Sequence, residues 1–494
     1  MGSWVINASF VLLISACFLF VLYLSYNVLF HPLRNYPGPV LWGATRLPWC
    51  WHQYRGRLSR RLLELHVRYG QTVRVAPNEV SFTSETAWRT IYGQRSQEMG
   101  KDPVFSLHTP TGIQNILTAD RATHIRQRRL LSHAFSEKAL KEQETIIQGY
   151  VGTLMQQLSS HSGEGRHLNM VDWFNFITYD LIRDLSFGER FGCLDSGEYD
   201  PFVRTIKETA KELIDMQMFK YYGLLGVRRW LMSSAVAGIR AQNMKRVMET
   251  VSRRVEKVTN RKDFLHYILA AMETEKGMSR AEMDVNAFSF SIAGSESSAT
   301  LLSGFVFYIL THPDVYDAVV AEIRSAFRTE NEIQLARLGR LEYLTAVLTE
   351  CMRVYPPVAV TLPRVVPEGG EFIDSAFVPA GTTVGVNHFA CYRDPSNFAR
   401  ADEFLPQRWL PEHQHKAPFN RDHRQCLQPF SFGPRNCLGK NLAWAEVRLI
   451  TTKLLYRFDL KLYPTMSGKW VDSQQIFGFW VKSPLWVELV EVYR

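Results

Sequence analysis

Hydrophobic positions are most concentrated at the start of the chain. From Ala8 to Leu24 the sequence has no charged residue, and apolar character resumes through Phe30. About 20 consecutive apolar residues are what a helix needs to cross the hydrocarbon layer of a bilayer. The rival interpretation is a cleaved signal peptide, but no positive charge precedes the run, and the run is long for such a peptide. We therefore interpret residues 1–30 as an uncleaved membrane anchor.

The residues that flank this run indicate its orientation and its end. No Lys or Arg precedes it, whereas Arg34 follows it, with further arginines at positions 46, 55, 57, 60 and 61. The positive-inside rule therefore leaves the body of the protein in the cytosol. Pro32, Pro37 and Pro39 fix φ and remove backbone donors, so the helix cannot continue. Residues 31–39 are predicted to form a stiff proline-rich hinge.

Beyond this hinge the pattern is that of a large, mainly helical domain with a minor β portion. Alternating apolar and polar positions in 72–75 and 80–82 predict a small hairpin, helical periodicity dominates 122–353, and alternation returns in 458–462 and 486–490. The 494 residues would suggest three domains at about 150 residues each. No internal repeat or low-complexity linker divides the chain, so we expect one domain over residues 40–494.

Composition and charge narrow the class of protein. Hydrophobic residues make up 46% and charged residues 21%, which is ordinary for a folded globular protein. The 7 cysteines are scattered, and their odd number leaves one unpaired, which favours a reducing compartment over a disulfide framework. The net charge of +9 is spread along the chain, so it fits an anionic membrane surface or an acidic protein partner better than nucleic acid.

The candidate chemistry is concentrated around Cys437. This residue lies in the turn-rich segment Phe430–Gly439, just before a predicted helix whose free backbone N–H groups favour a thiolate. Gly433 and Gly439 let the backbone approach a flat cofactor closely, and Arg435 can neutralise a carboxylate on that cofactor. A cysteine taken alone is more often an inert buried thiol, but this context favours a metal ligand.

The segment resembles the haem-binding signature F-x-x-G-x-R-x-C-x-G of the cytochrome P-450 family. The matching positions are Phe430, Gly433, Arg435, Cys437 and Gly439.

Two upstream motifs extend the resemblance. Glu350 and Arg353 match the family's E-x-x-R, and Phe404–Trp409 looks like its P-x-R-F/W element. Glu350 and Arg353 share one face of a helix and can pair, with Arg408 completing a buried charge-assisted network. An ordinary surface pair of little energetic value is the alternative.

A helical run from Met283 to Leu310 contains Ala293–Ser298, which is similar to the family's A/G-G-x-D/E-T-T. Gly294 costs about 1 kcal/mol relative to alanine inside a helix, which makes sense if the gap admits dioxygen. The resemblance implies that Glu296 and Ser297 are catalytic and relay protons. Small residues that merely pack closely are the alternative.

Three arginines and one histidine are implied to bind the haem propionates. The segment that contains His124 and Arg128 occupies the place of the family's W-x-x-x-R, with His124 in place of the tryptophan. Arg128, Arg364 and Arg435 would pair the propionates. His124 either donates a hydrogen bond there or is a structural residue.

The resemblance implies a membrane-bound haem-thiolate monooxygenase that contains haem b (iron protoporphyrin IX), with Cys437 as the iron ligand. It would insert one oxygen atom from dioxygen into a hydrophobic small molecule, with electrons from an NADPH-dependent cytochrome P-450 reductase. The endoplasmic reticulum membrane is the implied location, with a single-pass anchor and a cytosolic catalytic domain.

Within the family, residues 124–136 and 386–398 look most like the fungal secondary-metabolite branch that includes isotrichodermin hydroxylase-like enzymes. A terpenoid or polyketide intermediate is the expected substrate. Two alternatives to a monooxygenase remain: a haem-thiolate isomerase or dehydratase, and a non-catalytic haem-binding sensor.

Overall fold

Helices dominate the chain, as the hydrophobic pattern predicts. The computed structural model describes residues 2–95, 97–105, 112–189, 192–227, 234–256, 261–270, 277–464, 466 and 468–492. In chain order the α-helices are Gly2–Leu29, Val40–Ala44, Leu47–Tyr54, Leu58–Tyr69, Glu85–Tyr92, Arg121–Ser132, Glu137–His161, Met170–Phe187, Cys193–Ser196, Pro201–Tyr221, Ser234–Glu256, Phe264–Ala270, Arg280–Leu310, Pro313–Ala326, Leu335–Leu338, Glu342–Val354, His388–Arg393, Pro411–Gln414 and Lys440–Arg457.

The helix Arg280–Leu310, called the central helix below, runs through the hydrophobic core. Its start is fixed by a capping box, in which Ser279 Oγ accepts from the backbone N–H of Glu282 (3.2 Å) and the Glu282 carboxylate accepts from the Ser279 N–H (2.8 Å). It packs against Met170–Phe187 and Lys440–Arg457. Because helices surround it, buried residues occupy most of its circumference, as is typical of a core helix.

The strands form small sheets at the periphery of the helical body. Their bounds are β1 Thr72–Ala76, β2 Glu79–Phe82, β3 Gly100–Lys101, β4 His167–Asn169, β5 Arg364–Val365, β6 Glu371–Ile373, β7 Ala376–Val378, β8 Thr383–Val386, β9 Phe458–Leu462, β10 Gln475–Phe477, β11 Phe479–Val481 and β12 Trp486–Glu491. A 5-stranded sheet has the order β1-β2-β8-β5-β3, and a 3-stranded sheet has the order β4-β12-β9. The predicted hairpin is confirmed as β1 and β2, and the predicted late strands as β9 and β12.

The apolar run at the start forms one continuous helix, Gly2–Leu29. Its residues 9–29 are long and apolar enough to cross a membrane, and side chains 9–23 are exposed. The proline segment that follows lies against the domain. Leu33 is fully buried there, and the backbone N–H of Arg74 donates to the Pro37 carbonyl at 2.7 Å.

The predicted Glu350–Arg353–Arg408 network is confirmed, and it is larger than expected. Arg353 donates to Glu350 at 2.7 and 2.9 Å, and Arg408 donates to the same carboxylate at 3.1 Å. Trp409 Nε1 donates to Glu350 at 2.8 Å, and Arg408 pairs with Asp422 at 2.6 Å. The four charged side chains are 0% exposed. Burial opposes ionisation, but Arg353 and Arg408 hold the pKa of Glu350 below its ordinary value.

Candidate active site

Cys437 lies in a tight loop whose shape is set by backbone hydrogen bonds. The Cys437 N–H donates to the Phe430 carbonyl at 2.8 Å, and the Asn436 N–H donates to the Gly433 carbonyl at 3.1 Å. The predicted helix follows at once as Lys440–Arg457, with Gly439 at its N-cap. The segment 430–439, called the cysteine loop below, therefore presents the sulfur at a helix N-terminus, as predicted.

The Cys437 thiol is accessible although protein surrounds it. Its side chain is exposed, a property it shares with Cys17 alone among the seven cysteines, all of which lie in the described residues. Protein nevertheless surrounds the thiol so closely that burial raises its pKa, against the opposing effects of the Gly439 N–H and Arg128. We infer that the sulfur lines a recess in the protein, because such a position explains both its exposure and the effect of burial on its pKa.

Positive charge converges beside the cysteine loop. Burial together with Arg435 and Arg364 lowers the pKa of Lys101 to about 7. The pKa of His124 is lowered to about 3 by burial and by Arg435 and Lys101. Glu98, which pairs with Arg435, is the carboxylate that raises the pKa of Lys101. Two carboxylates placed among these cations would neutralise the excess charge. The residues therefore fit the propionates of a haem bound through a cysteine.

Lys101 was not predicted from the sequence. It lies in β3 directly opposite Arg364 of β5, so the strand register brings the two cations together. A single lysine in a two-residue strand carries no sequence pattern that would reveal this pairing.

Arg128 makes a contact that the sequence did not predict. Its guanidinium donates to the Asn436 carbonyl at 2.5 Å and to the Asn436 side-chain oxygen at 2.7 Å. Burial lowers the pKa of Arg128, while the neighbouring Cys437 opposes that shift. Arg128 thus fastens the cysteine loop to the helix Arg121–Ser132.

Two glycines have a packing role that the sequence did not predict. Gly433 has a φ of +73°, and a Cβ on it would lie 2.0 Å from the Tyr92 carbonyl oxygen. A Cβ on Gly294 would lie 2.6 Å from Ile182 of the neighbouring helix. Close approach to the protein is thus sufficient to require a glycine at both positions, and their expected roles beside a cofactor and dioxygen stay predictions. Among the described residues, a Cβ on Gly439 would meet Phe135 alone, at 3.9 Å, so there is open space beside this glycine.

Glu296 of the central helix is held on both carboxylate oxygens. Tyr179 Oη donates to Oε1 at 2.8 Å, and Lys482 Nζ donates to Oε2 at 2.7 Å. Lys482 also contacts Thr300 Oγ1 at 3.1 Å and is 3% exposed. Ser297, the neighbouring residue, donates to the Ala293 carbonyl at 2.7 Å. The lysine comes from the segment after β11, and this partnership could not be inferred from the sequence.

Glu446 is a second buried carboxyl beside the central helix. It is 3% exposed, and its Oε2 lies 3.2 Å from the Ser298 hydroxyl. Burial raises the pKa of Glu446 to about 8, so the group is mostly protonated at neutral pH. The hydrogen bond links the central helix to the helix that follows the cysteine loop.

We expect Glu446→Gln to change how stability depends on pH. The raised pKa means that the folded state keeps a proton that the unfolded state releases, so the free energy of unfolding falls between pH 4.5 and about 8. Glutamine has no carboxyl group to titrate, so this loss of stability is absent from the variant. The variant should therefore gain stability relative to the parent as pH rises through this range. Denaturant unfolding at several pH values measures the slope. Ser298→Ala removes the bond that lowers this pKa and should extend the slope to higher pH, whereas parallel profiles would contradict the assignment.

Comparisons with known proteins agree with this geometry. The cytochrome P-450 family model matches residues 37–486. The cytochrome P-450 monooxygenase astA of Talaromyces wortmannii is 41% identical, over 94% of this chain and 93% of its own length. Averantin hydroxylase of Dothistroma septosporum is 40% identical, over 98% of this chain and 91% of its own length. Versicolorin B desaturase stcL of Emericella nidulans is 40% identical, over 94% of this chain and 95% of its own length.

These similarities confirm the predicted resemblance to fungal secondary-metabolite enzymes. Members of the family contain a haem-thiolate cofactor and use a redox partner and a hydrophobic substrate. The match extends from the proline segment to the first residue of β12, so it includes the central helix, the buried charge network and the cysteine loop. The chain therefore belongs to the cytochrome P-450 family and is a haem-thiolate monooxygenase.

Proposed function

We propose that this monooxygenase oxidises a polyketide or terpenoid intermediate of fungal secondary metabolism, with haem b bound through Cys437. The observation that carries the proposal is the accessible Cys437 thiol at a helix N-terminus, beside a cluster in which Lys101, Arg364 and Arg435 outnumber the single carboxylate of Glu98. The substrate class is supported by two relatives whose names specify averantin and versicolorin B as the compounds on which they act. A hydroxylation or a desaturation is therefore the expected reaction.

The residues around Cys437 divide into those proposed to hold the cofactor and those that shape its surroundings. The Cys437 thiolate is the proposed iron ligand, and Lys101, Arg364 and Arg435 are the proposed partners of the propionates. Arg128 holds the cysteine loop in position through Asn436. A haem-thiolate group, when bound, activates dioxygen, because the thiolate donates electron density that favours O–O cleavage.

Glu296 and Ser297 are the proposed proton carriers. Lys482 and Tyr179 fix the Glu296 carboxylate, so this acid stays in place next to the serine in the chain. The Ser297 hydroxyl donates to a backbone carbonyl of its own helix and can rotate to donate elsewhere. An intact acid and hydroxyl pair favours a monooxygenase over an isomerase or dehydratase, which needs no such delivery of protons.

The same proposal includes a source of electrons and a cellular location for the protein. The described residues carry no flavin or nicotinamide motif, and a membrane-bound NADPH-dependent cytochrome P-450 reductase is the proposed partner. The helix Gly2–Leu29 would place the protein in the endoplasmic reticulum membrane with its domain in the cytosol.

Turnover with labelled dioxygen tests the function. The full chain, loaded with haem and combined with NADPH, a fungal reductase and candidate polyketides, should give a hydroxylated product that carries one ¹⁸O atom from ¹⁸O₂, or a desaturated product. An isomerase would form product without consuming NADPH. A sensor would bind the candidates and consume no NADPH above the reductase background.

Replacing Ser297 by alanine should uncouple turnover. The change removes the hydroxyl proposed to deliver protons, so more of the NADPH should end as hydrogen peroxide and several-fold less as product. Ser297→Thr keeps the hydroxyl and restricts χ1, so it should keep or improve coupling. Product and peroxide per NADPH are the quantities to measure.

Ser303→Ala is the matched control for this change. Ser303 lies in the same helix and donates to its own i−4 carbonyl at the same 2.7 Å, but it is fully buried. Its loss should leave coupling unchanged. Equal product per NADPH in Ser297→Ala and the parent would leave Ser297 with a packing role only.

A further inference from the structure

The last turn of the N-terminal helix is joined to the domain by an arginine. Arg74 of β1 is 4% exposed, and no carboxylate in the described part of the chain pairs with it. Its guanidinium instead donates to two backbone carbonyls, those of Pro77 (2.8 and 3.2 Å) and Asn27 (3.0 Å). The planar fork of an arginine suits it to hold two acceptors at once.

The Asn27 carbonyl is a natural partner for a cation. It is one of the last four carbonyls of Gly2–Leu29, which have no acceptor role within the helix. These carbonyls form the negative end of the helix dipole, where a positive side chain is stabilising. Arg74 therefore caps the helix from the domain side.

The Asn27 side chain makes a second contact between the N-terminal helix and the domain. Its side chain is 2% exposed, and Nδ2 donates to the Ala44 carbonyl at 2.9 Å, at the end of the helix Val40–Ala44. A polar side chain at the end of an apolar run thus finds a hydrogen-bond partner in the domain. The two contacts together, called the Asn27–Arg74 clamp below, leave the helix little freedom to pivot at this point.

Exposed apolar side chains lie beside this joint. The helix Val40–Ala44 packs against Gly2–Leu29 and against Leu47–Tyr54. Four residues of these two short helices are at least 52% exposed and form what we call the apolar ridge: Val40, Leu41, Leu47 and Trp51. The Arg55 guanidinium lies 5.5 Å from the Trp51 ring, a pairing suited to the level of lipid headgroups.

We propose that the Asn27–Arg74 clamp fixes the tilt of the domain on the bilayer and so holds the apolar ridge against the lipid. The ridge continues the exposed apolar surface of the N-terminal helix through Leu29 and Phe30, which are 58% and 67% exposed. Lipid is therefore the occupant that fits this face. The inference rests on the proposed membrane anchor. It adds that the anchor helix and the domain keep a fixed relative orientation instead of moving independently.

The orientation of the haem in a bilayer tests the clamp without any measurement of activity. The full chain, loaded with haem, is placed in aligned phosphatidylcholine bilayers, and linear dichroism of the haem absorption gives the distribution of tilts. The parent should show one narrow distribution. Asn27→Ala removes the side-chain bond to Ala44 and should broaden it, whereas Asn35→Ala, at an exposed position of the proline segment, should not.

Arg74→Lys supplies an independent variant. Lysine keeps the charge but lacks the fork that holds both carbonyls, so the tilt distribution should broaden as in Asn27→Ala. An unchanged narrow distribution in Asn27→Ala, or a broad one in the parent, would overturn the clamp. Failure of the parent to remain in the bilayers would overturn the proposed anchor and the clamp with it.

Discussion

Glu350→Gln is expected to destabilise the domain strongly. Glutamine keeps the shape of the side chain but removes the charge shared by Arg353 and Arg408, both fully buried. Breaking a buried ion pair by removing one partner costs about 3–5 kcal/mol, because an uncompensated charge is left inside the protein. Native domains are stable by only about 5–15 kcal/mol. The variant should therefore incorporate far less haem and unfold at a much lower denaturant concentration.

An exposed pair with the same spacing is the control. Arg400 and Glu403 also form an i,i+3 ion pair, but both side chains are about half exposed. Exposed pairs contribute little, since water screens them and side-chain entropy opposes them. Glu403→Gln should leave haem content and the unfolding midpoint close to those of the parent. An equally small effect of Glu350→Gln would show that the buried network is not what stabilises the domain.

Cys437→Ala should reduce product formation to the rate measured without enzyme. The change removes the proposed iron ligand while the cysteine loop keeps its backbone bonds, because the Cys437 N–H and the Arg128 contacts do not involve the sulfur. The variant should therefore fold and remain in the membrane while losing oxygenation. Circular dichroism and product assays under matched conditions measure the two properties separately.

Cys17→Ala is the matched control, because Cys17 is the other exposed cysteine and lies in the N-terminal helix. Product formation should be unaffected by this change. Full activity in Cys437→Ala, or its loss in Cys17→Ala, would remove the argument that places the chemistry at the cysteine loop.

The sequence was most informative where a feature depends on neighbours along the chain. The hairpin of β1 and β2 has a two-residue turn, and the central helix has the long apolar pattern of a core helix, so both follow from local periodicity. Glu350 and Arg353 are one helical turn apart, which made their pairing predictable. The exposed helix at the start likewise follows from the length of the apolar run.

The sequence was least informative where residues far apart in the chain meet. Lys101 becomes part of the cation cluster only because β3 pairs with β5, and Lys482 reaches Glu296 from the segment after β11. Asp422 completes the buried network from a segment without regular pattern. Such contacts depend on tertiary packing, which periodicity and propensity do not encode.

The absorption spectrum of the reduced protein with carbon monoxide tests the central claim most directly, because the position of the Soret band reports which atom of the protein is bound to the iron. If the Cys437 thiolate is the ligand, the parent should show the red-shifted band of thiolate ligation, and Cys437→Ala should lack it. Persistence of that band in Cys437→Ala, or its absence from the intact, haem-loaded parent, would contradict the assignment of Cys437 as the haem ligand.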